Sequence, residues 1–420
     1  MKIKHIWARE ILDSRGIPTV ETALMLDNGS VSVSSVPAGT STGSHEALEL
    51  RDTDNPRYLG QGVLKAVENV NGPLAQAIIG MDPTDQITID RKLVEVDGTE
   101  NKTKYGANAI LSVSEVVARA GAVVNNQPLY SWIYQLAAKG NITNKVKIPT
   151  PLFNMINGGL HGAGNLDFQE FWVVPASNKG FAEGLQIGAE IYQTIGQNLG
   201  HRGAIHSVGQ EGGYAPNLFT NADAFEVFIE SIKQTTYSLG RDVFLGLDVA
   251  SNSFYRDGEY VIKDRTGGMD DNQFLEYYKG LCDQYKLAII EDPFQEDAWD
   301  SWKKMVSTLG DSVIVVGDDL LATNPKRVQK AIAEKACNSA VIKPNQIGTL
   351  TETLNVVKLV KEAGWKTVVS HRSGETNDSF IADFAVGVAA DYIKSGAPAR
   401  GERVAKYNRL VSIETELMRK

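Results

Sequence analysis

Cysteine is almost missing from this chain: two in 420 residues, Cys282 and Cys337. Both fall within helical patterns, so free, buried thiols in a reducing compartment are expected and a disulfide framework is not. No apolar run approaches the ~20 residues of a membrane helix. The N-terminal MKIKHIWAREILD interrupts each apolar stretch with charge and offers no signal-peptide core. A soluble cytoplasmic protein without a membrane partner is the expectation. Positive charge is short as well, with 42 Lys and Arg against 51 Asp and Glu, a formal net charge of −9. That balance argues against a nucleic-acid partner and against an anionic-membrane surface. An anionic ligand must then be held by locally concentrated positive charge or by metal.

What the chain does have is length and rhythm. With 420 residues, 42% hydrophobic and 22% charged, it has room for two globular domains, one of them barrel-sized. Near the N-terminus TVETALML and SVSVSSV flank a DNG turn at Asp27–Gly29, a strong hairpin marker. PAGTSTGSHEALELRD follows as an exposed loop, then helical patterns at GVLKAVENVNGPLAQAI and, as one long stretch, ANAILSVSEVVARAGAVVNNQPLYSWIYQLA. The polar, proline-ended AAKGNITNKVKIPTP marks a boundary. We expect an α+β domain over 1–138 and a second domain over 139–420.

In the second domain short apolar runs end in a charged residue and a breaker: VFLGLD at Asp248, LAIIEDP at Glu291, VIVVGDD at Asp318, SAVIKPN at Lys343, TVVSHRSG at His371 and Arg372. Runs without alternation suit parallel strands buried on both faces. Amphipathic stretches such as DNQFLEYYKGLCDQY fill the gaps, so the unit is strand, loop, helix. Such units close into a (β/α) barrel whose strand C-termini line the catalytic mouth.

Asp248, Glu291 and Asp318 at neighbouring strand ends offer the hard oxygen ligands that Mg²⁺ requires. Each alone is equally an N-cap for the helix that follows. Lys343, on an inward position, is either desolvated towards its neutral, basic form or held in an ion pair. Arg372 and Ser373 in HRSGE suit a phosphate or carboxylate at a helix N-terminus. NGGLH and QEF place His161 and Glu170 in a loop-and-strand pair, GQEGGY puts Glu211 in a glycine-flanked turn, and Lys394 follows a weaker strand signal. GTSTG around Ser41 is a candidate mobile lid or a solvated loop.

These strings, with REILDSRG, STGSHEALELRD, PRYLGQGV, GANAIL, LDVAS, EDPF, KPNQIGTLTET and KYNRL, resemble the enolase family along nearly the whole chain. The resemblance implies a modified (β/α)8 TIM-type barrel of ββαα(βα)6 order with an N-terminal α+β capping domain. It implies reversible dehydration of 2-phosphoglycerate to phosphoenolpyruvate, in glycolysis and gluconeogenesis, with two Mg²⁺ per site. By the same resemblance Lys343 is the base at carbon 2, and Glu211 the acid, supported by Glu170. Asp248, Glu291 and Asp318 are implied as ligands of one metal and Ser41 as a ligand of the other. His161, His371, Arg372, Ser373 and Lys394 are implied to bind substrate, and a homodimer or larger homo-oligomer is expected.

Two rivals are a racemase or cycloisomerase of the wider superfamily and a catalytically impaired binding protein. HRSG and the STG loop weigh against the first, since a phosphate-free acid needs neither. The retained Lys343, Glu211 and carboxylates weigh against the second. Gln210 and Ser253 stand where the family has aspartate and glutamate, removing negative charge expected near the site. Ala38, Ile17 and Pro344 also depart from the usual serine, asparagine and valine.

Overall fold

The computed structural model describes residues 1–39, 45–140, 142, 145–162 and 166–419. Strands β1 (Ile3–Leu12), β2 (Pro18–Leu26) and β3 (Val31–Ser35) form an antiparallel sheet in that order. The expected hairpin is β2–β3, closed by the Gly29 amide donating to Leu26 O at 3.0 Å. No separate signal marked β1, whose charged residues obscure its period. Burial of Ile3, Ile6 and Ala8 on one side accounts for it.

The long helical stretch is two helices, Ala107–Val124 and Leu129–Lys139, because Pro128 cannot donate to a continuing ladder. The first is long and apolar enough, by composition, to cross a membrane, contrary to the expectation that no segment is. It is 83% buried within the protein and packs on β2 and β3. Of the expected exposed loop, the described start is anchored: Ala38 is fully buried, and its backbone pairs with Gly374 in both directions, at 2.8 and 3.0 Å.

The barrel is built from β4 (Thr150–Asn157), β5 (Glu170–Pro175), β6 (Val243–Asp248), β9 (Leu287–Glu291), β10 (Ile314–Gly317), β11 (Ser339–Ile342), β12 (Lys366–Ser370) and β13 (Tyr392–Lys394). A small hairpin, β7 (Tyr255–Arg256) and β8 (Glu259–Tyr260), interrupts the series. The ring closes in chain order, β13 returning to β4. Only β5 runs antiparallel to its neighbours. Two helices, Phe181–His201 and Asn221–Lys233, follow the first two strands, and βα units complete the ring. The order is ββαα(βα)6, as the resemblance implies. Inside the ring Leu152, Trp172, Val174, Ile289, Val316, Val341 and Val368 form an apolar plug, so the barrel is a core with a mouth.

Candidate active site

The charged residues ending each strand run sit where the barrel opens. Asp248, Glu291 and Lys394 are the last residues of β6, β9 and β13, while Asp318, Lys343 and His371 directly follow β10 (after Gly317), β11 and β12. Glu170 begins its strand, yet the reversal of β5 brings it level with Asp248 in register. One cavity is lined by Glu170, Glu211, His161, Asp248, Asp318, Lys343, His371, Arg372, Ser373 and Lys394. Glu291 lies below its wall, fully buried. Ser41 falls outside the described residues.

Lys394 Nζ sits 2.7 Å from Glu291 Oε1, 3.1 Å from Asp248 Oδ2 and 3.3 Å from Glu170 Oε1, over the Trp172 ring of the plug. Burial opposes its charge, but the carboxylates around it outweigh burial and raise its pKa well above the ordinary value. Lys343 pairs with Asp318. Here the structure departs from the neutral lysine that desolvation predicts. Burial does push the amine down, yet Asp318 outweighs it and the pKa rises. The same pairing holds Asp318 below the usual carboxylate range against its own burial.

Across the mouth, Glu211 receives a hydrogen bond from Asn154 Nδ2 at 3.0 Å and lies 3.3 Å from His161 Nδ1 and 3.5 Å from His371 Nε2. Burial would raise its pKa, but His161 foremost, with Arg403 behind the site, holds it well below normal. Burial and the nearby Glu211 charge instead push Glu170 up to about 8. The two carboxyl groups meet around His161 and titrate as a pair. The sequence reading made Glu211 the acid with Glu170 in support, and the structure brings the two together beside His161.

Arg372 is gripped by Glu46, Nη1 to Oε2 at 2.9 Å. A Cβ on Gly39 would come within 2.1 Å of Arg372 Nη2, so a side chain there would push the guanidinium from its place. Arg15 Nη1 donates to Ser373 Oγ at 3.4 Å. The first domain thus supplies the outer wall of the HRSG loop.

Several participants carried no sequence signal. Asp292, in the EDP string, accepts from the Asp318 and Asp319 amides at 2.9 and 2.8 Å and fixes that strand end. Gln346 donates to Asp318 Oδ1 at 3.2 Å and accepts from Thr323 Oγ1 at 2.6 Å. Arg403 lies fully buried behind His371. Conversely, Gln210 lines a neighbouring cleft with Ser14, Arg15 and Arg400 instead of this cavity, and Ser253 is exposed. Neither side chain lines the cavity itself, although the cleft holding Gln210 shares His161 with it. Pro344 opens the short helix Pro344–Ile347, where proline is well placed.

Asp248, Glu291 and Asp318 fit a hard divalent cation. Asp248 and Glu291 are register partners on adjacent strands, and Glu291 Oε2 is buried without a hydrogen-bond partner among the described residues. Burial and the charge of Asp248 push the Glu291 pKa well up, a repulsion that bound positive charge relieves. Residues 3–133 match the family description "Enolase, N-terminal domain" and residues 145–420 match "Enolase, C-terminal TIM barrel domain". With its strand order, its mouth of carboxylates and two lysines, and both matches, the chain belongs to the enolase family.

Proposed function

We propose that this protein catalyses the reversible dehydration of 2-phospho-D-glycerate to phosphoenolpyruvate, as a cytoplasmic homodimer or larger homo-oligomer. One observation carries the reading. Lys343 follows β11 and Glu170 begins β5, four places apart in an eight-strand ring, so they face each other across the mouth. A base and a proton donor on opposite sides of a bound hydroxy acid suit elimination of water.

The neutral Lys343 amine takes the carbon-2 proton, and the electron pair moves into the neighbouring carboxyl group as an enolate. That pair then forms the carbon–carbon double bond as the carbon-3–oxygen bond breaks. The Glu170–Glu211 pair gives its proton to the departing hydroxide, which leaves as water. Lys394 and His161 orient the substrate, and Arg372 with Ser373 takes the phosphate, Arg372 leaving Glu46 for a doubly charged anion. Asp248, Glu291 and Asp318, with Ser41 at a second position, would hold Mg²⁺, two ions by the family resemblance, whose charge stabilises the carboxyl group as it gains a second negative charge. A lysine base with Mg²⁺ is the general pattern known for such sites.

The test is absorbance of the enol phosphate on mixing the protein with 2-phosphoglycerate and Mg²⁺. Turnover is expected. Its absence, with racemisation of a phosphate-free hydroxy acid instead, would overturn the reading in favour of a wider-superfamily activity.

A further inference from the structure

Arg403 is fully buried, and its guanidinium ties together the two loops that carry the acid and the phosphate site. Nη1 donates to Arg372 O at 2.7 Å, and Nη2 donates to Ser373 O at 2.6 Å and Gln210 O at 3.1 Å. The fourth contact is the informative one: Nη1 lies 2.6 Å from His371 Nδ1. A guanidinium has donors and no acceptor, so Nδ1 must accept and cannot carry a proton. The ring's remaining hydrogen then belongs on Nε2. That atom is buried, has no hydrogen-bond partner among the described residues, and lies 3.5 Å from Glu211 Oε1.

We infer that Arg403 is a positioning residue that locks His371 as a neutral imidazole with its proton on Nε2, aimed into the cavity beside Glu211. Under the proposed reaction, on which this second half rests, that proton is a fixed donor to the oxygen leaving carbon 3. His371 is then no relay. Protonating Nδ1 would set two donors against each other at 2.6 Å. Burial, with Arg403 and the two lysines, likewise holds the ring's pKa well below that of a free histidine, against the opposing pull of Glu211. The charged groups acting on the ring are Glu211, Arg403, Lys394 and Lys343, and among the described residues Nδ1 is partnered by Arg403, a donor.

Histidine-selective ¹⁵N labelling of the full-length protein without substrate reads both ring nitrogens of each of its 6 histidines. Loss of one signal pair in His371→Asn identifies the ring. The wild type should show a bare Nδ1 and a protonated Nε2 that do not move where exposed histidines titrate. Arg403→Met should place proton on Nδ1 in part of the population. It should also lower kcat about 10- to 100-fold, by analogy with the scale found for partners that orient metal-bound histidines. A protonated Nδ1 in the wild type, or an unchanged ring in Arg403→Met, would refute the assignment. Should that variant fail to fold, the wild-type spectrum alone decides. The expected spectrum in a protein without turnover would sink the proposed reaction and leave this inference standing.

Discussion

Each cation at the mouth is a residue whose neighbours set its state. Lys343 is born on an apolar strand run, where burial alone would strip its proton, yet Asp318 keeps it charged in the resting site. The base is therefore available only as that pairing loosens. Lys343→Ala should lower turnover by about 10²–10⁴-fold, the usual share of a general base. It should also stop exchange of the carbon-2 proton with solvent. Glu211→Gln should halt dehydration and leave that exchange measurable, because proton removal comes first. Carbon-2 exchange at the wild-type rate in Lys343→Ala, followed by NMR in D₂O, would assign the base elsewhere. Asp318→Asn keeps one oxygen and forfeits the charge that attracts a hard cation. Calorimetric titration should show weaker Mg²⁺ binding, and unchanged affinity would remove Asp318 from the ligand set.

At the scale of elements, the helix Leu350–Glu362 begins just beyond Lys343, and its first turn is satisfied largely from the other domain. Ser114 Oγ accepts from the Leu350 amide at 2.9 Å, and Asp90 Oδ2 accepts from the Thr351 amide at 2.9 Å. Asp90 also accepts from Gln86 Nε2 at 2.9 Å, within the helix Gln86–Asp97. Burial pushes the Asp90 carboxyl up to about 6. From about pH 4, where an unfolded aspartate ionises, the unfolded chain releases its proton before the folded one. Stability therefore falls as pH rises towards 6, and above that the loss is complete at ~3 kcal/mol. Asp90→Asn cannot ionise, and its carbonyl can still serve Thr351. Near pH 4 denaturant unfolding should show the variant close to wild type, and at neutral pH the variant should be the more stable. A constant difference between the two across that range would show that Asp90 does not titrate on folding.

The barrel was legible at this same scale, and for a physical reason. A strand such as VIVVGDD is buried on both faces by its own apolar run, so its period and its charged end are local facts. β1 was not legible, nor was the break at Pro128 weighed against the apolar stretch around it. The closeness of Glu170 and Glu211 around His161 was not legible, because they meet across loops and no string encodes their separation. Gln210 shows the converse: adjacency in sequence to Glu211 suggested a shared field, and the backbone turn sends it to another cleft.

Seen as a whole molecule, the first domain is part of the catalytic wall. Ser14 N donates to Glu375 O at 2.7 Å, Ser35 Oγ and Thr376 Oγ1 meet at 2.9 Å, and Ala38 pairs with Gly374. Lys102 reaches Glu352 at 3.0 Å, with its own side chain almost fully buried. Exposed ion pairs contribute little, but these contacts join segments hundreds of residues apart, and removing Glu352 would leave the buried Lys102 charge unpaired. Arg372 in particular is sandwiched between Glu46 and the backbone at Gly39, both from the first domain. The barrel segment 139–420 produced alone retains Arg403 on the HRSG backbone, yet loses Glu46, Arg15 and the Ala38 pairing that hold the loop's outer side. It should bind Mg²⁺, as read by calorimetry, and fail to turn over 2-phosphoglycerate even where circular dichroism shows its helices formed. Restoring residues 1–138 as a separate chain should recover part of the activity, saturating with the added domain. Turnover by the isolated barrel at the full-length rate would mean that His371–Gly374 hold their shape unaided and that the first domain merely covers them.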